Sequence, residues 1–241
     1  VETLTAAIGW LSDPANWQGP DGVIVRMVEH IWLSALALVV ALAVAVPTGL
    51  YAGHTGRGGN AAINVAGVGR AVPSYALLIL FFPIFGFGLV APLLALVLLA
   101  IPPILANVYV GLRGIDRELV EAGRGMGMRE SQVLTGVELP AALPVIVAGT
   151  RSAAVAIVAT ATLAALIGGG GLGRLIVDGF ALRDEGMLVS GAFLVATLAI
   201  VVERGLTLAE RRFVSPGVRP RPGAPDYGPP IPAPRSDVIL Y

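Results

Sequence analysis

Apolar residues gather into long runs along this chain, separated by short polar or glycine-rich stretches. A helix crosses a membrane on about 20 mostly apolar residues. Five runs come near that length: 31–51 (IWLSALALVVALAVAVPTGLY), 61–84 with its apolar part AVPSYALLILFFPI, 88–112 (GLVAPLLALVLLAIPPILANVYVGL), 141–167 (AALPVIVAGTRSAAVAIVATATLAALI), and 187–202 (MLVSGAFLVATLAIVV), which has room to extend to Leu208. The pattern predicts an all-α integral membrane protein, a bundle of about five transmembrane helices over 31–212. Pro47, Pro73, Pro102, Pro103 and Pro144 fall inside or beside these runs. Neighbouring helices in a bundle can compensate the backbone hydrogen bonds that proline removes. Abundant small residues permit the close approach such a bundle needs.

One polar passage breaks the pattern. Residues 117–144, RELVEAGRGMGMRESQVLTGVELPAALP, carry arginines, glutamates and glycines between two apolar runs. Asp116 is placed to cap a helix, in which Leu119, Ala122 and Met126 share one face. Gly125 and Gly127 supply a turn, RESQVLTGVEL forms a second short helix, and Pro140 ends it. The predicted unit is a charged helix–turn–helix at a membrane surface.

Composition strengthens the membrane reading. Of 241 residues, 56% are hydrophobic and 13% charged, against a charged share of about 25% in soluble proteins. All the basic side chains are arginine, and the chain has no cysteine, which excludes disulfides and thiol chemistry. No signal-peptide pattern opens the sequence. If 113–140 is cytoplasmic, that side collects Arg57, Arg113, Arg117, Arg124, Arg129, Arg204, Arg211 and Arg212, leaving Arg26, Arg174 and Arg183 opposite. This asymmetry predicts a multi-pass plasma-membrane protein of bacterial type, with its N-terminus outside and C-terminus inside. Residues 1–30, with their tryptophans, read as an extracytoplasmic or interfacial segment. The proline-rich stretch 213–241 reads as a disordered cytoplasmic tail.

The polar passage resembles the EAA loop of importer-type ATP-binding-cassette permeases. The match runs through Glu121-Ala122-Gly123, then Gly127, then Val137, Leu139 and Pro140, with Gly123 where the family pattern carries alanine. The stretches EHIWLSALAL, RAVPSYALLILFFPIFGFG and TATLAALIGGGGLGRLI resemble the osmoprotectant group, importers of glycine betaine, choline or carnitine. This resemblance implies that Glu121, Ala122, Gly123, Gly127, Val137, Leu139 and Pro140 couple the chain to an ATPase subunit. It also implies an extracytoplasmic substrate-binding protein, a second permease subunit in a homo- or heterodimer, and ATP and magnesium bound on the partner rather than here. An importer of another small solute, such as an amino acid or methionine-like compound, shares the loop and stays open.

Other signals are weaker. GGGGLG, through Gly168, Gly169, Gly170, Gly171 and Gly173, meets the G-x-G-x-x-G pattern but follows an apolar helix and precedes no Lys-Ser/Thr pair. It reads as a flexible turn, with an outer hinge as the alternative. Arg70 reads as the sole charge well inside a span. About 14 Å of helix from Ala61 lets it reach the interface by snorkelling. Arg70, Pro73, Ser74 and Tyr75 form a candidate substrate pathway. Tyr75, Phe81, Phe82, Phe85 and Phe87 offer faces that attract quaternary ammonium groups. His30 and His54 stand singly, so neither a metal site nor a triad with Ser74 is expected. No catalytic residue and no nucleic-acid contact is foreseen. An ion-coupled transporter would carry acids at mid-span, where this chain has none by this reading.

Overall fold

A computed structural model of the protein describes residues 2–59, 61, 63, 64, 67, 69 and 72–213. Its elements are α1 (Glu2–Ser12), α2 (Val23–Thr55), α3 (Ser74–Phe85), α4 (Val90–Arg113), α5 (Arg117–Gly125), α6 (Glu130–Val133), α7 (Leu139–Thr160), α8 (Gly173–Leu182) and α9 (Glu185–Phe213). A π-helical turn over Leu134–Glu138 joins α6 to α7, and a 3-10 stretch over Ala161–Ile167 prolongs α7. No described residue lies in a strand.

Among the described residues, four helical columns are long and apolar enough to cross a membrane: Val23–Thr55, Val90–Arg113, Glu130–Ile167 and Glu185–Glu210. The second predicted run, 61–84, lies in part outside the described residues, as do Arg70 and the tail 214–241. Its described residues include most of α3, which is 12 residues long.

The core forms where α2, α4 and α7 meet. Helix α2 turns a stripe of small residues inward: Ala37, Ala41 and Ala45 are fully buried, and Gly49 and Gly53 continue the row. Spacing by four puts these residues on one face. The backbones come so close that a Cβ on Gly49 would lie 2.7 Å from Val108 Cβ, and one on Gly53 would lie 2.8 Å from Leu112 Cβ. Across α4, Gly149 of α7 would meet Asn107 Cβ at 2.3 Å. Glycine therefore sets the interhelical distance at these crossings.

A second cluster gathers α1, α8 and α9 around Leu172, Leu175, Leu194 and Val195, with Trp10 and Trp17 packed against it. Ser190 Oγ donates to the Ala7 carbonyl at 3.2 Å, fastening α1 along α9. Both tryptophans of the N-terminal segment are thus half-buried, whereas Trp32, in α2, is 57% exposed.

Two expectations need correction. Pro140 does not end a helix. It sits in the first turn of α7, where its missing N–H costs little. The π-helical turn just before it shifts the register, so the Leu139 N–H reaches the Leu134 carbonyl. From Glu130 onward, the polar passage consequently runs without a break into the third long column. The second correction concerns Arg70 as the sole charge inside a span: Arg151 also lies within the proposed 141–167 span. Its Nη1 lies 2.7 Å from Glu210 Oε2 and donates to Thr207 Oγ1 at 3.2 Å, tying α7 to α9.

Candidate functional site

At one end of the bundle, the passage 117–140 is built as a stand-alone helix and a buttress. Asp116 accepts a hydrogen bond from the Glu118 N–H at 3.0 Å, capping α5 as its sequence position predicts. Gly127 turns the chain at φ +82°, a left-handed conformation that favours glycine. The turn is closed where the Met128 N–H reaches the Gly123 carbonyl at 3.3 Å. Beyond it, the Arg129 N–H donates to Gln132 Oε1 at 2.8 Å and starts α6.

The predicted coupling residues fall into two groups that the fold brings together. Gly123 is buried, and a Cβ there would touch Met128 Sδ at 3.4 Å and Val137 Cγ2 at 3.5 Å. Glu121, Ala122 and Gly127 are exposed. Leu139 packs against the core cluster, and Pro140 is exposed. Leu119 and Met126 share the Ala122 face and are 50% and 78% exposed. An amphipathic helix normally buries its apolar face, whereas this one leaves Leu119 and Met126 uncovered within the chain.

Ion pairs hold the unit in shape. Arg124 grips Glu130 through Nε to Oε1 at 3.0 Å and Nη2 to Oε2 at 2.9 Å. These hydrogen bonds raise the Arg124 pKa above its ordinary value. Behind them His54, in the last turn of α2, places Nδ1 2.6 Å from Glu138 Oε2 and Nε2 3.4 Å from Glu130 Oε2. Neither His54 nor Glu138 is marked by local sequence pattern, because the two are 84 positions apart.

The other end of the bundle carries the glycine cluster. Gly168, Gly170 and Gly171 have φ of +81°, +73° and +77°, and Gly173 begins α8. A Cβ on Gly173 would lie 2.1 Å from the Thr162 carbonyl oxygen, and one on Gly169 would lie 2.8 Å from Ala164 Cβ. The expectation of a loose turn is therefore replaced by a packed one. It is also tied: the Gly171 N–H donates to Glu29 Oε2 at 2.8 Å, and Arg26 Nη1 donates to the same oxygen at 2.9 Å. His30, 1% exposed, sets Nε2 2.9 Å from the Val158 carbonyl. Sequence reasoning missed Arg26 and Glu29 as partners of this turn, since no motif links them to it. A strand-preceded phosphate loop is absent among the described residues, and helices flank the turn instead.

Pro73, Ser74 and Tyr75 stand at the start of α3, Tyr75 being 51% exposed. Their proposed companion Arg70 lies outside the described residues. Farther along, Phe82 and Phe87 meet edge to face at 4.7 Å, and Phe87 abuts Gly168. The aromatic cluster is thus divided between α3 packing and the glycine end. Among the described residues no group of histidine, aspartate and glutamate side chains is arranged to hold a metal.

A family model described as "Binding-protein-dependent transport system inner membrane component" matches residues 45–215. The chain belongs to this family of transport permeases. The permease is 40% identical over 82% of its length, and over 90% of the other chain, to the carnitine transport permease protein OpuCB of Listeria monocytogenes. It is 38% identical over 82% of its length, and over 91% of the relative, to the choline transport system permease protein OpuBB of Bacillus subtilis. Its fold is similar to that in an inward-facing structure of the MetNI methionine transporter, with a TM-score of 0.68, 24% identity, and coverage of 87% of this chain and 100% of that one. The matched family segment includes the whole of α5, the π-helical turn and the glycine cluster of the permease.

Proposed function

We propose that this permease carries osmoprotectants of the quaternary-ammonium class, such as carnitine, choline or glycine betaine, into the cell in an ATP-driven importer. The relatives named for carnitine and choline transport support the substrate class, since the likeness runs over most of both chains. The observation that carries the mechanism is the protruding helix α5, with Leu119 and Met126 uncovered beside Ala122.

In this reading a separate ATPase subunit grips α5. It binds the ATP and magnesium, and nucleotide hydrolysis takes place there. Closure of the ATPase favours one of two packed arrangements of the bundle, which opens the solute path to one side at a time. A second permease subunit completes the path, and an extracytoplasmic binding protein delivers solute at the glycine end. The α5 end then faces the cytoplasm, with the N-terminus outside and the C-terminus inside. Tyr75, with Pro73, Ser74 and Arg70, would contact the solute weakly, and Gly168–Gly173 would act as an outer hinge. Tight recognition is left to the binding protein.

The test is solute-stimulated ATP hydrolysis by the reconstituted complex across betaines, choline, carnitine, methionine and other amino acids. Stimulation by the quaternary-ammonium solutes is expected. Stimulation by methionine or other amino acids alone would overturn the substrate class. Uptake without nucleotide would overturn the ATP-driven mechanism. A Gly127→Asp variant is expected to stay in the membrane and lose ATPase binding and transport. Normal ATPase co-purification with full uptake would refute the docking role of α5.

A further inference from the structure

Glu138 sits within the 117–140 passage at the position between Val137 and Leu139, and it is only 6% exposed. A buried carboxylate is costly unless it is paired. Its partner arrives from the far end of another helix: His54, 14% exposed, with Nδ1 2.6 Å from Glu138 Oε2.

Two features give this contact a mechanical meaning. Helix α5 packs mainly on α6 and the π-helical turn. A polar cavity of about 270 Å³ lies where α5 meets the ends of α2 and α4, lined by Gly53, His54, Leu112, Arg113, Val120 and Glu121 among others. At one edge of the cavity the gap is bridged in series. Arg124 of α5 holds Glu130 of α6, Glu130 faces His54 Nε2 at 3.4 Å, and His54 holds Glu138 of the turn.

His54 belongs to the same helix as the buried row Ala37, Ala41, Ala45, Gly49 and Gly53, which is locked onto α4. A displacement reaching His54 is therefore passed along the core of the bundle. Separating the pair would leave a buried carboxylate without a partner, so the contact resists being pulled apart. We propose that His54 is the positioning residue that transmits movement of α5 to the first long helix. This proposal rests on the reading that an ATPase grips α5.

The experiment uses the full chain, co-purified with its ATPase subunit and reconstituted with the binding protein, and it measures solute imported per ATP hydrolysed. His54→Leu keeps the bulk and removes the hydrogen bonds. It is expected to retain the ATPase and ATP hydrolysis while the ratio falls about tenfold or more, a usual size for coupling between sites. His54→Gln, which keeps an N–H donor for Glu138, is expected to recover most of the ratio. If His54→Leu does not assemble, Glu138→Leu, which removes the acceptor, is measured and is expected to show the same fall. A wild-type ratio in His54→Leu or Glu138→Leu overturns the proposal, as does an equal loss in His54→Leu and His54→Gln. A wild-type complex that binds no ATPase would instead refute the broader reading, and this inference with it.

Discussion

Gly123 stands where the permease pattern carries alanine, in mid-helix and buried. A Cβ there would meet Met128 Sδ at 3.4 Å, an ordinary contact with the flexible end of a side chain. Replacing glycine by alanine within a helix gains up to about 1 kcal/mol. Gly123→Ala is therefore expected to raise the unfolding midpoint of the detergent-purified protein by about 2–4 °C, with transport unchanged. A lowered midpoint would show that Met128 and Val137 cannot yield. Gly127, four residues on, behaves oppositely: nothing lies within 4 Å of a Cβ, yet its φ of +82° penalises any side chain. These two roles are not legible in the sequence, where both glycines read as turn or small-residue positions. Local chemistry such as the Asp116 cap was readable because donor and acceptor lie two residues apart. The pairs that hold the site, His54 with Glu138, Arg151 with Glu210 and Glu29 with Gly171, are 84, 59 and 142 positions apart. No local pattern encodes such a distance.

Helices were legible where apolar length alone decides them, which is why four predicted runs correspond to long columns. Their junctions were less so. Pro140 reads as a helix end, but a π-helical turn absorbs it and the column continues from Glu130 to Ile167. One physical consequence is that α5 and α7 are linked by continuous helix and one glycine turn, a stiffer connection than two separate helices. Packing between columns is equally hidden, since an alanine-rich run does not say which glycines touch a neighbour. Gly149 does: Asn107, held by its own bond from Nδ2 to the Pro103 carbonyl at 2.8 Å, leaves no room for a methyl group. Gly149→Ala must push α7 from α4 and is expected to cost about 1–3 kcal/mol, as overpacking does. Gly205 in α9, with nothing within 4 Å, is the control and should be stabilised by the same substitution. Thermal unfolding of the two variants side by side tests the assignment, and equal midpoints would sink it.

Helix α2 has 33 residues, or about 50 Å at helical rise, against a hydrocarbon thickness of about 30 Å. Part of its length must therefore project beyond the lipid. The α5 unit meets its His54 end, and the glycine cluster is tied near its start through Glu29. The two candidate functional regions thus occupy opposite ends of one rigid column, as a device working between two compartments requires. Arginine placement predicts which end is which, and the absence of cysteine makes the prediction easy to test, because any introduced thiol has no background. Arg124→Cys is expected to react with a membrane-impermeant maleimide in inside-out vesicles only, and Leu182→Cys, exposed just beyond the glycine end, in right-side-out cells only. Arg124→Cys breaks the grip on Glu130 but leaves the apolar packing of Gly123 untouched, so the loop should keep its place during labelling. Labelling of position 124 from outside would invert the molecule and put α5 beyond reach of any nucleotide-driven partner. A protruding helix on that side would then have no motor to serve.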